Sequence, residues 1–165
     1  MEKSKAATQS PLKISDFKHT YMFVNKSAFE YDRETVESQS ENTSMSLDLG
    51  LAISGFDFIK EKEECVLLVG WEARVKGLIG DVEQTSDEKS ETQLEQVFEA
   101  SVGFDHVYSV PTSYSKVGEK ELARFFEENE ASFRPIAIAS ATNTLKSLLL
   151  NTPLAGLRIP YGIDM

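Results

Sequence analysis

With 165 residues, 41% of them hydrophobic, the chain is long enough to bury one core without disulfide or metal staples. Its 27 acidic residues outnumber 17 basic ones for a net charge of −10, which argues against a nucleic-acid partner because phosphates would be repelled over most of the surface. No window approaches the roughly 18 consecutive apolar residues of a membrane span, and no apolar stretch follows the lysines of the opening MEKSKAATQSPLK, so a soluble, cytoplasmic protein without membrane insertion is expected.

Residues 1–15 are polar and read as a loose arm ahead of a single domain over 16–165. From Phe17 an alternating run carries Phe17, His19, Tyr21 and Phe23 on one side, with Phe29 and Tyr31 beyond, which predicts a long first strand with an irregularity near Asn25–Ser27. The polar stretch Asp32–Ser44 is a connection. Met45, Leu47, Leu49, Leu51 and Ile53 then alternate with small or polar residues, and Gly55 marks a bulge before Phe56 and Phe58. After the charged turn over 60–64, Cys65, Leu67, Val69, Trp71, Ala73 and Val75 face one way and Leu68, Glu72, Arg74 and Lys76 the other. The lone Cys65 can form no internal disulfide and fits a structural thiol in a reducing compartment. Residues 80–92 are an acidic loop. A fourth strand runs from Leu94 towards Val110 and ends at Pro111.

Glu119 opens a short acidic amphipathic helix with Leu122, Phe125 and Phe126 on one side. The following stretch, Ser132–Leu150, carries just two charges, Arg134 and Lys146, and repeats apolar residues at helical spacing. Pro135 suits a first turn, so the helix is expected to start near Ser132 with that hydroxyl as its cap. Ala137, Ser140, Ala141, Thr144 and Ser147 give it small-residue positions that a second subunit could approach closely. Such a helix needs cover on two sides, from a sheet and from a neighbouring copy. Strands followed by helices give an α+β fold, an antiparallel sheet with helices on one face.

Catalytic signatures are missing. His19 and His106 lie in separate strands without ligands at metal spacing, and no phosphate-binding glycine loop, nucleophile elbow or paired-cysteine motif occurs. No enzyme, cofactor or metal site is therefore expected. The wealth of aromatic residues suits grooves for extended apolar polypeptides, with Tyr21, Phe23, Phe29, Tyr31, Phe56 and Phe58 as client-binding candidates and Trp71 as a structural residue.

The order of these segments resembles the SecB family of protein-export chaperones over residues 17–164. The resemblance is carried by an aromatic first strand ending in Ser27-Ala-Phe-Glu30, the alternating Leu47-Asp-Leu-Gly-Leu51, the strands over 66–76 and 93–110, Phe133-Arg-Pro135 near the start of the main helix, and the closing Leu157-Arg-Ile-Pro160 and Tyr161-Gly-Ile-Asp164. It implies a four-stranded antiparallel Greek-key sheet backed by a long C-terminal helix, assembled as a dimer of dimers. It also implies an ATP-independent holdase for unfolded or export-bound clients. Glu30 matches an acidic position that contacts the export motor SecA in that family, whereas Lys26 stands where a second acid is expected. Family members also serve toxin–antitoxin systems, so a dedicated chaperone for an antitoxin or a secreted effector is the alternative, with a scaffold of the same shape that binds no client as a further one.

Overall fold

A computed structural model describes residues 12–34, 44–60, 65–80 and 95–155. The connection over 35–43, all but Gly80 of the acidic loop, and the closing segment from 156 onward lie outside the described residues.

Four strands, β1 (Lys18–Tyr31), β2 (Ser44–Lys60), β3 (Cys65–Gly80) and β4 (Glu95–Val110), are followed by two helices, α1 (Glu119–Glu128) and α2 (Glu130–Leu149). Every pair in the sheet is antiparallel and the spatial order is β1-β4-β3-β2, so β1 and β2 form its two edges. The architecture is α+β, as the segment order predicts. Among the described residues no helix is long and apolar enough to cross a membrane.

Alternation along β3 and β4 makes the two faces of the sheet. Cys65, Leu67, Val69, Ala73 and Val75 are at most 1% exposed and face the helices. On the opposite, outer face Arg74 and Lys76 of β3 meet Glu99 of β4 at 3.1 and 3.7 Å. Solvated pairs of this kind fix register more than they stabilise, at about 0–1 kcal/mol each.

Two register shifts break β1, between His19 and Tyr21 and between Val24 and Lys26, and one breaks β2 between Ile53 and Gly55. Each inserts an extra residue and so turns the following side chains to the other face. A further shift at Gly77–Leu78 lets the Phe98 ring lie over Gly77. A Cβ built on Gly77 would sit 2.1 Å from Phe98 Cε1, so only glycine leaves room for that ring.

Ile14–Asp16 form a 3-10 turn, and the Tyr114 hydroxyl accepts from the Lys13 N–H at 3.2 Å and donates to Asp16 at 2.7 Å. This tie delivers Phe17 into an aromatic cluster, stacked on Phe125 at 5.0 Å and edge-on to Phe126 at 5.7 Å and Phe133 at 5.8 Å. Phe126 and Phe133 in turn lie 4.2 Å apart, locking α1 to α2 across a one-residue elbow at Asn129.

The long helix begins at Glu130 rather than Ser132, and no side chain caps it. Ser132 and Pro135 lie inside the helix. Pro135 has no N–H to donate to the carbonyl one turn back, at Ala131. The aromatic lock between Phe126 and Phe133 offsets that loss and holds the start of the helix earlier than local signals place it.

Replacing Gly77 with alanine is expected to destabilise the fold by about 1–3 kcal/mol through overpacking against Phe98. Urea unfolding of both forms measures this, and an unchanged midpoint would show that Phe98 has another place to go.

Candidate functional site

Between the β2 edge and the junction of α1 with α2 lies a cleft of about 650 Å³. Its apolar lining comes from Leu51, Ile53 and Phe56 of β2, Trp71 of β3, Phe126 of α1 and Phe133 of α2. The rim is charged, with Glu119, Glu127 and Glu130 against Lys120 and Arg134. Arg134 is engaged one helical turn back with Glu130. The indole N–H of Trp71 is buried and has no hydrogen-bond partner among the described residues. An unmade bond of that kind costs roughly 1–3 kcal/mol, which a carbonyl acceptor could recover. Volume, an apolar floor and a polar rim are the attributes of a ligand-binding cleft.

The six aromatic candidates do not share one groove. Tyr21 pairs with Val107 and Phe23 with Asp105, which puts both rings on the outer face, 6.5 Å apart and 59% and 41% exposed. After the second shift in β1, Phe29 pairs with Ala100 and Tyr31 with Phe98, on the helix face. Their rings stack at 6.2 Å, half-buried, at the opposite end of the strand. Phe56 and Phe58 sit on the helix face of the far edge, where Phe56 lines the cleft and packs 5.3 Å from Phe126. The chain thus carries three separate aromatic patches. Sequence reasoning missed the cleft because Trp71, Phe126 and Phe133 each look like core; the bulge signal at Gly55, beside two phenylalanines, pointed nearest to it.

The small-residue positions of α2 also change partners. Ala137 and Ala141 are 0% and 1% exposed against the chain's own sheet, and Ser140 reaches His106. Thr144 is half-buried, and Ser147 is the one member of that set left exposed. The exposed positions of α2 are Glu130, Ala131, Ser132, Pro135, Ile136, Ala139, Asn143 and Ser147, with half-buried Lys146 beside the last two, so this side carries no charge between Ser132 and Asn143. Glu30 is exposed near the end of β1, opposite Glu99.

A second polar group lies under α2. His106 is fully buried, with Nε2 3.0 Å from Ser140 Oγ and the His19 ring centred 4.9 Å away. Burial, with a smaller contribution from charge repulsion by His19, holds the His106 pKa down to about 4. Burial likewise pushes neighbouring Tyr108 up to about 12. Both side chains stay neutral at ordinary pH, which suits a hydrogen-bonded strut between helix and sheet. Among the described residues no cluster of three or more potential metal ligands occurs.

No protein-family model matches the chain, and no curated protein matches it.

Because the unfolded chain protonates His106 near its ordinary value of 6.5 while the folded chain resists to about 4, stability is complete above pH 6.5 and falls as pH drops towards 4. Denaturant midpoints across this window measure the slope, and His106→Gln, which removes the proton-binding group, is expected to flatten it. An equal slope in the variant would assign the acid sensitivity to other groups.

Proposed function

We propose that the protein is an ATP-independent holdase, binding unfolded or export-bound polypeptides through apolar surface left open on its sheet, with the Greek-key arrangement of the SecB family. The carrying observation is the pair of open apolar regions on opposite flanks, the cleft beside β2 and the exposed Tyr21–Phe23 pair on β1. A monomer that hid all its rings would favour a scaffold role; two of the six candidates are more than 40% exposed. The strand order supports the Greek-key reading, since β2, β3 and β4 lie side by side in chain order while β1, which precedes β2 in the chain, lies beside β4.

Capture needs no nucleotide on this reading. Each ring covered by a client contributes on the order of 1.5–3 kcal/mol, and separate weak patches on one assembly combine into tight but reversible retention of a long chain. The net charge of −10 keeps such a surface soluble. The reading is non-enzymatic and places the protein in the cytoplasm.

The exposed side of α2 carries no charge between Ser132 and Asn143, which supports self-assembly, a dimer of dimers, because a solvated helix face is ordinarily charged. Its interface residues are then Ser132, Ile136, Ala139 and Asn143, with Ser147 from the small-residue set, while Ala137 and Ala141 of that set are buried against the sheet. Glu30 remains the candidate contact for an export motor.

An excess of the protein should suppress aggregation of a chemically unfolded client, with suppression lost or cut several-fold in a Tyr21→Ser, Phe23→Ser double variant whose own stability is nearly unchanged. No suppression by the unaltered chain rejects the holdase. Light scattering is expected to give a mass above the 18.4 kDa protomer, and Ile136→Lys to lower it. A strict monomer removes the case for a helix-mediated interface. Co-purification of many clients rather than one stoichiometric partner separates a general from a dedicated chaperone.

A further inference from the structure

We propose that the open edge of β2 takes an extended segment of a foreign polypeptide as a fifth strand of the sheet, along Met45–Ile53 and into the cleft; this rests on the holdase reading and names how that site would hold its client.

The two edges of the sheet are built differently. Exposed edges invite unwanted pairing, and proteins blunt them with lysines, bulges or cover. β1 has such devices, with Lys18 and Lys26 exposed and two register shifts in 14 residues. β2 lacks them over its first ten residues. Ser44–Ile53 pair one-to-one with Gly80–Trp71 without a shift, contain no lysine, arginine or proline, and carry Asp48 as their single charge. Every described ladder partner of β2 belongs to β3, so its other side offers a straight row of main-chain donors and acceptors. Ten residues of strand present roughly 33 Å of edge.

The side chains beside that edge are unfinished as well. Met45, Leu47, Leu49 and Ile53 pack on the core yet remain half-buried, because among the described residues no strand lies beyond them. A strand laid alongside would continue that row with its own alternate side chains and cover theirs. The row ends at Leu51 and Ile53, which are already walls of the cleft, where Trp71 lacks an acceptor.

Charge selects the occupant. Pairing β2 with β2 of a second copy brings together two chains of net charge −10 and sets Asp48 and Asp57 of each among the same acids of the other. A foreign segment with alternating apolar side chains and neutral or basic residues between them meets no such repulsion, and the rim acids Glu119 and Glu127 add attraction at the cleft.

The test uses the full chain and a fluorescent 11-residue peptide alternating Phe or Val with Lys or Thr, in three forms. One is unmodified; the others are N-methylated on every second amide, in the two possible frames. In a paired strand the amides of alternate residues point to the same edge, so one frame is expected to lose at least tenfold in affinity by anisotropy while the other stays within about threefold. Both methylated forms binding like the parent would overturn strand addition and leave side-chain capture, and the holdase, standing. A parent peptide that fails to bind overturns it too, and joined to absent aggregation suppression takes the holdase reading with it. Hydrogen exchange supplies the location, with slowing of the amides of 45–53 on peptide addition and not of those of 18–31. Slowing confined to β1 overturns the assignment, as does an edge already protected before peptide is added, which would mean a second copy or the chain's own arm lies there.

Discussion

Cover is the scarce quantity in this fold, because a helix advances 1.5 Å per residue and a strand more than twice as far. The 16 residues of β4 run about 53 Å, whereas the 20 residues of α2 run about 30 Å and the 10 of α1 about 15 Å. One short helical layer therefore seals the two inner strands and nothing more. The helix-facing rows of β3 and β4 are buried, while no residue of β1 is. The open flanks follow from this mismatch of lengths, and so do the proposed roles, each of which gives an uncovered strand or helix face something to touch.

What holds that limited cover in place is a knot of rings. Phe17 arrives from the start of the chain, Tyr108 from β4, Phe125 and Phe126 from α1 and Phe133 from α2, and all lie within ring-contact distance of Phe17. Aromatic pairs add about 0.5–1.5 kcal/mol each beyond the area they bury. Midway along α2 the His106–Ser140 contact joins the helix to β4 by polar means. Between these two fixings the helices sit as one body over the middle of the sheet.

Much of this was legible in the residues. Period-two alternation gave the strands, and its interruptions at Asn25 and Gly55 coincide with real register shifts. The earlier shift at Thr20 was not visible, and it decides which face each pair of rings takes. Odd numbering alone sets Tyr21, Phe23, Phe29 and Tyr31 on one side, but the bulge after Val24 turns the last two over, so a groove drawn from parity becomes two patches. Ser132 and Pro135 carry the local marks of a helix start, yet contacts between Phe126 and Phe133 pull the helix two residues earlier. Phe17 meets Phe125 across more than a hundred positions, a proximity no local pattern encodes. Ala137 and Ala141 suit close approach by any neighbour, and which neighbour comes depends on where the sheet lies.

Cys65 opens β3 with no solvent exposure, opposite Val110 on the neighbouring strand. Sulfur chemistry needs an accessible thiolate, and an apolar surround disfavours the anion as well as screening it. In the folded chain this sulfhydryl is thus shielded from outside disulfides and oxidants. Any thiol exchange at Cys65 would first require this corner of the sheet to come apart.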